Sequence, residues 1–294
     1  YADYYGVICG KKNVFFTNND TAYESAISLF KKGIKVKGII DIRNKSESQF
    51  VKEAENLGIK IYWSHTVVDT SGYRRLKEIS IMQLSKDNQS VIGSKININC
   101  DCLAIAGGWT PAVHLFTQSG GKLKFREKDQ VFIPNKYPSK QISIGSCNGD
   151  FELDDIIKNS SKSLKDFLEI NKTDYDNLSV LASKETNKKN IWLLPSDKII
   201  GKTKPFVDYQ NDATAKDIKL ALREGFRSIE HVKRYTTTGM GTDQGKLGNM
   251  HALGIIADTT GVKMGEVGTT TFRPPYTPLT FGTIVGRNVG EYFD

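Results

Sequence analysis

The stretch KKNVFFTNNDTAYESAISLFKKGIKVKGIIDIR, residues 11–43, constrains the fold of this chain more than any other. An apolar run at residues 14–16 reads as a short buried strand. The helix after it uses Ala22, Ala26, Ile27 and Phe30 as its apolar face, and Gly33 ends it. A second apolar run at residues 36–40 ends in Asp41. Strand, helix and strand in this order form an α/β unit with parallel strands, so the first half of the chain is expected to build a layered α/β sheet.

Asp41 stands about twenty residues beyond the first strand–helix turn, the spacing at which an acidic side chain meets an adenosine ribose in a dinucleotide fold. It is therefore a candidate NAD contact. The turn itself argues the other way. TNNDTA, residues 17–22, has none of the glycines that let pyrophosphate approach backbone, Asn19 and Asp20 read as helix caps, and Asp20 would repel a phosphate at the helix N-terminus. Weak or absent NAD binding is expected from the chain alone.

Further on, residues 47–57 read as a helix and KIYWSHTVVD as a strand. RRLKEISIMQL and SKININCDCLAIAGG alternate like strands, which suggests a small antiparallel excursion before residues 103–106 re-enter the parallel sheet. GGWTPAVHL makes a tight exit, with Trp109 and Pro111, from the sheet's carboxyl end, where α/β folds place ligands. QISIGSCNGD reads as a last strand, followed by a helix over residues 153–170. His65 and His114 have no partner at ligand spacing and read as structural or surface residues. Cys9, Cys100, Cys102 and Cys147 are too few and too irregular for a disulfide framework or a four-cysteine metal site, and Cys100 and Cys102 read as small buried thiols.

The 294 residues suit two domains, and 38% hydrophobic content fills an ordinary core. A net charge of +8 is spread through nearly every segment without a basic aromatic motif, which favours a solvated surface or anionic cofactors over nucleic acid. No run is apolar enough to span a bilayer, no signal peptide opens the chain, and the cysteine usage fits a reducing cytoplasm. Starting at Tyr1 and ending in GRNVGEYFD, the chain reads as a piece of something longer.

In the second half, Thr214 and Asp217 resemble a capping box. Ile218, Leu220, Ala221 and Leu222 supply the apolar content of a helix that Gly225 ends, and a second helix from Ser228 carries Glu230, His231 and Lys233 into KRYTTTGMGTDQGK, residues 233–246. This layout resembles a bacterioferritin-associated ferredoxin module. Its thiolates are absent, since residues 208–212 and 241–246 contain no cysteine, so an iron–sulfur cluster there is excluded and no metal is expected. NDATAKDIKLALREGFRSIEHVKRYTTTGMGTDQGK, with GTTTFRPPYTP and FTNNDTAY, is similar to the α subunit of heterotetrameric sarcosine oxidase along essentially the whole chain. The large subunits of other amino acid and opine oxidases are its close relatives.

The resemblance implies three parts: residues 1–200, a nucleotide-binding-like α/β domain of the pyridine nucleotide disulfide oxidoreductase type; residues 201–262, a small helical module; and residues 263–294, a connector into an aminomethyltransferase-like domain. It implies a complex with smaller subunits and a β subunit. In that complex FAD on the β subunit oxidises sarcosine to glycine and peroxide, FMN lies at the α/β contact, NAD binds the α subunit, and tetrahydrofolate takes the one-carbon unit on the domain beyond the connector. For the loop two readings stand. In one, Lys233, Arg234 and Lys246 supply charge, Thr236, Thr237 and Thr238 supply hydroxyls, and Gly239 and Gly241 admit close backbone approach, with Asp243 and Gln244 also among the candidate cofactor contacts, so that the loop grips the FMN phosphate. In the other it merely packs on neighbouring protein. Arg273 in GTTTFRPPYTP is either an anion contact or part of a proline-stiffened linker with Pro274, Pro275 and Pro278. Rival functions are an NAD(P)-dependent flavin reductase and a purely structural adaptor.

Overall fold

The structure is a computed structural model that describes residues 1–138, 140–170, 190–199, 202–274 and 276–287. The chain divides into two compact units. The first comprises Tyr1–Thr110, Glu152–Ile157 and Asn177–Lys202, and the second Pro111–Phe151, Lys158–Asp176 and Thr203–Asp294. After the short helix α1 (Ala2–Tyr5), the first unit runs β1 (Lys12–Thr17), α2 (Thr21–Lys31), β2 (Lys35–Asp41), α3 (Gln49–Asn56) and β3 (Ile61–Trp63). Then come β4 (His65–Ser71), β5 (Glu78–Leu84), β6 (Val91–Asn99) and β7 (Cys102–Ala106).

Strands β3, β2, β1 and β7 form one sheet in that order, all parallel, with Phe15 opposite Ile39 and Ala104. Side chains alternate across it as the pleat requires. Phe15 and Ile39 point to the helices and pack with Tyr23, Ala26, Ile27, Val51, Ala54 and Ile59. Val14, Phe16 and Ile40 point the other way, onto Ile79, Ile81, Leu84 and Ile98 of the antiparallel sheet β4-β5-β6. The excursion and its return to the parallel sheet were therefore readable as alternation. Phe30 is not on the buried face of α2. It is exposed, and Tyr23 takes the core place. Cys100 closes the second core cluster between β6 and β7, and burial raises its thiol and that of Cys102 above the usual range.

The second unit contains α4 (His114–Gln118), a hairpin of β8 (Lys122–Arg126) and β9 (Val131–Lys136), and a 3-10 turn at Gly145–Asn148. Residues 141–144 pair with no strand, so QISIGSCNGD is not a strand, and the hairpin before it is the element that forms. Helix α5 (Leu153–Leu168) gives its first residues to the first unit and most of its length to the second. The remainder runs β10 (Phe206–Asp208), β11 (Ala213–Thr214), α6 (Ala215–Arg223), α7 (Ile229–Thr236), α8 (Asn249–Thr260), α9 (Met264–Val267) and α10 (Phe281–Val285).

The capping box at Thr214 and Asp217 is formed in both directions. Helix α8 carries Ala252, Leu253, Ile255 and Ile256 into the centre of the helical group and is apolar nearly all round. Pro111–Phe151 therefore belongs with residues 203–294, where a single cut near residue 200 would have put it in the first unit. Within residues 263–274, α9 forms and Met264 and Thr270 are buried. Pro275 and residues 288–294 of that connector lie outside the described residues. No helix among the described residues is long and apolar enough to cross a membrane.

Candidate functional site

Two constellations of charged side chains stand out, one in each unit. In the first unit, Asp41 is fully buried at the carboxyl end of β2. Its Oδ2 accepts from the Tyr23 hydroxyl at 2.8 Å and from Arg43 Nη2 at 2.7 Å, and its Oδ1 accepts from the Arg43 backbone N–H at 2.9 Å and from Nε at 3.0 Å. The same Nη2 lies 2.7 Å from Asp20, the N-cap of α2. Burial and the neighbouring Asp41 carboxylate push the Tyr23 hydroxyl well above its ordinary range. Burial opposes the charge on Arg43, but the hydrogen bonds and charges of Asp41 and Asp20 more than offset it and raise its pKa.

The turn that would cradle a pyrophosphate is thus filled from inside the protein. The Thr21 hydroxyl donates to Asn19 Oδ1 at 2.5 Å and accepts from Trp109 Nε1 at 3.3 Å, and the Asn19 amide donates to Ala106 O at 3.3 Å. Gly108, at φ +94°, brings the exit of β7 against Asn18 and Asn19. Both oxygens of Asp41 are in use, so a ribose hydroxyl would have to compete with Arg43 for them.

The second constellation is built on the Thr/Gly loop. β10 ends in Asp208, whose Oδ2 accepts from Gly239 N–H at 2.7 Å and whose Oδ1 accepts from Gln210 and Asn211 N–H at 2.8 and 3.0 Å. Gln210 Oε1 accepts from the Thr242 hydroxyl at 3.1 Å, and Asn211 Nδ2 donates to Thr237 O at 3.1 Å. Residues 208–211 are stitched in this way to residues 237–242. Burial raises the Asp208 pKa, but the Gly239, Asn211 and Gln210 N–H groups outweigh it and hold the carboxyl below its usual range. Asp208→Asn places an amide NH2 where an acceptor is needed and is expected to cost about 1–3 kcal/mol. The Gly239 amide should then exchange with deuterium faster than in the unaltered chain, and equal exchange rates would show that Asp208 does not anchor the loop.

The loop's hydroxyls turn inward. Thr236 donates to Val232 O at 2.8 Å, Thr237 to Thr236 O at 2.6 Å, and Thr238 shares a 2.7 Å bond with Thr236. Asp243 Oδ1 accepts from Gly245 N–H at 3.1 Å, and Gln244 Nε2 donates to Gly241 O at 3.2 Å, so these two residues also shape the loop from within. Thr237 and Gly239 supply left-handed backbone, at φ 59° and 72°.

The cations divide. Lys246 Nζ donates to Tyr276 O at 2.7 Å and lies 4.6 Å from the Tyr276 ring centroid, which ties the loop to the GTTTFRPPYTP segment. Lys233 is buried and donates to Thr271 O at 3.4 Å, while Glu230 Oε1 accepts from Thr271 N–H at 2.5 Å. Burial, then Arg273 and Arg234, hold Lys233 below the usual lysine range against the raising effect of Glu230. Arg234 and Arg273 are exposed, and among the described residues neither has an ion-pair partner within bonding distance. The two motifs quoted from the sequence are therefore brought together, with Arg273 beside Lys233, whereas Asp41 sits in the other unit.

Three residues of this region were not legible as site residues: Asp208, Glu230 and His114. His114 is buried with its ring 3.9 Å from the Phe272 ring and 5.6 Å from that of Tyr276, and neither nitrogen has a hydrogen-bond partner among the described residues. Burial, then the charge of Lys246, lowers its pKa to about 4. His65 Nδ1 donates to Trp63 O at 2.7 Å, so both histidines are packed into the protein fabric.

Comparison with known proteins places this architecture. The fold is shared with a solved L-proline dehydrogenase from P. horikoshii at a TM-score of 0.56 and 16% identity, over 97% of this chain and 52% of that one. The class is thus the α/β fold of that dehydrogenase. Residues 202–287 match the sarcosine oxidase A3 domain. The whole chain is 33% identical to the sarcosine oxidase alpha subunit of Corynebacterium sp. (strain P-1) and, again at 33%, to that of Rhizobium meliloti (strain 1021). It spans 31% and 28% of those proteins' lengths. Over 73 residues it is also 34% identical to an opine oxidase protein of Rhizobium meliloti (strain 1021). Along its whole length the chain is thus similar to part of the sarcosine oxidase alpha subunits.

Proposed function

We propose that the chain serves as part of the alpha subunit of a multi-subunit sarcosine oxidase, and that its Thr/Gly loop region holds the phosphate of an FMN enclosed at the contact with a β subunit. The observation that carries this reading is the gathering of Lys233, Arg234 and Arg273 with Glu230 as the nearby counter-charge, a carboxylate already accepting from Thr271 N–H. Buried or crowded cations gain from an anion placed among them, and an FMN phosphate is such an anion. Arg234 and Arg273 are the direct contacts in this account, Lys233 stands behind them, and Lys246, the threonines, Gly239, Gly241, Asp243 and Gln244 set the loop's shape.

In the same reading FAD on the β subunit would take two electrons from the N-methyl group of sarcosine, leaving glycine and a one-carbon unit, and oxygen would accept those electrons to become peroxide. Tetrahydrofolate takes the one-carbon unit on a domain following the connector, smaller subunits complete a cytoplasmic heterotetramer, and NAD binds elsewhere than at Asp41. The helical module keeps the layout of a cysteine-less ferredoxin domain, with Asp208, Gln210 and Asn211 holding by hydrogen bonds the two segments that thiolates would hold through a cluster.

Co-expression with a β subunit tests the phosphate assignment. A charge-assisted phosphate contact is worth about 1.5–3 kcal/mol, so Arg234→Ala/Arg273→Ala should weaken FMN retention about tenfold or more while the complex still assembles. FMN content equal to that of the unaltered complex would favour the purely packing role of the loop.

A further inference from the structure

A groove of about 820 Å³ opens in the second unit between the carboxyl end of α6, the start of α7, the end of α8 and α9. It shares no residue with the Thr/Gly loop site. Its cations are Lys219 and Arg223, one turn apart on α6 and so about 6 Å apart along the helix axis, and Arg227 beyond the turn at Gly225. Glu266 is the one carboxylate of the lining. Asp258 lies close enough to Lys219 to feel its charge, and Glu224 meets Arg223 only at 3.9 Å with both side chains mostly in water, a pairing of little strength. The floor is apolar, formed by Leu222, Ile229, Ile256 and Val262. Ser228 also lines the groove, and its side chain does not cap α7.

A cationic edge along an apolar floor selects an occupant with carboxylates on one side and aliphatic side chains on the other. The helical spacing of Lys219 and Arg223 matches carboxylates placed four residues apart on a partner helix. The lining has no aromatic platform on which bases would stack. A second copy of this chain is disfavoured by its own net charge of +8. We propose that this groove receives an acidic amphipathic helix of a partner subunit. The proposal rests on the reading of the chain as one subunit of a complex, and it names the face that the partner uses.

The probe is a fluorescein-labelled synthetic helical peptide of Glu and Leu, with leucines at i, i+3 and i+4 spacing, measured by anisotropy against the full chain. A control peptide carries Lys in place of Glu. The Glu peptide should bind and the Lys peptide should not. Arg223→Glu/Arg227→Glu should lower the Glu-peptide affinity about tenfold or more, and hydrogen-exchange protection should appear over residues 219–229 and 256–267. Equal binding by the variant, protection confined to other segments, displacement of the peptide by inorganic pyrophosphate, or the absence of charge-dependent binding would each overturn the proposal. Self-association of the chain that the variant abolishes would also overturn it, by making a second copy the occupant. FMN retention by the same variant in the co-expressed complex separates the two ideas. Loss of FMN with normal peptide binding tells against the flavin assignment of the loop, and normal FMN with lost peptide binding supports the groove alone.

Discussion

Arg43→Met is expected to destabilise the first unit by about 3–5 kcal/mol, the cost of breaking a buried ion pair by removing one partner. Arg43 is 2% exposed and touches both Asp41 and Asp20 at 2.7 Å. Without the guanidinium, two buried carboxylates face each other with no cation between them. Asp41→Ala leaves Arg43 with Asp20 but orphans the donors of Tyr23 and Arg43 that Asp41 satisfies, so it is expected to cost a comparable amount, about 3–5 kcal/mol. Urea unfolding followed by tryptophan fluorescence gives both values. The stability loss in Asp41→Ala is the diagnostic feature: if Asp41→Ala is silent in stability but abolishes a micromolar NAD affinity seen by calorimetry, the residue is a ribose ligand and the structural role assigned to it is wrong.

The second large effect is a dependence on pH set by His114. The fold favours the neutral imidazole, holding its pKa at about 4 against 6.5 for an ordinary histidine. Between these values the unfolded chain carries the extra proton. Stability from this group is therefore complete above pH ~6.5, declines as pH falls, and is exhausted once pH has passed through about 4. At 1.36 kcal/mol per pKa unit the whole effect is about 3 kcal/mol. The charge that acts on His114 is that of Lys246, whose ammonium opposes a second positive charge, and the Tyr276 ring packs beside the imidazole. His114→Phe keeps an aromatic ring against Phe272 and removes the proton, so its stability should fall less steeply between pH 6.5 and 4. Parallel curves for the two proteins would show that His114 titrates as it does in water.

What the sequence made legible follows the range of the interactions involved. The β1–α2–β2 unit, the antiparallel excursion, the return strand β7 and the Thr214 capping box are written in local periodicity and in turn chemistry a few residues long. Helix α8 escaped because the run from Ala252 to Ala257 is apolar nearly all round, so only a weak amphipathic stripe marks it. QISI had strand composition but finds no partner, and composition alone does not provide one. At the candidate site the loop's glycines and cations were visible. The closure of the loop onto residues 208–211 was not, because it depends on Asp208 meeting Gly239 across 31 positions of sequence. Asp41 shows the same limit, since its spacing fits a nucleotide fold while its partners Tyr23 and Arg43 give it another task.

The most direct test of the central claim is the rate of FMN reduction after sarcosine is added without oxygen to the assembled complex, which reads the loop even where the flavin is covalently tethered to the partner. If Arg234 and Arg273 hold the FMN phosphate, Arg234→Ala/Arg273→Ala should slow that step about tenfold or more and shift the flavin spectrum, with assembly and FAD content unchanged. Reduction at the unaltered rate, with an unaltered spectrum, would contradict the account and leave the loop as packing surface.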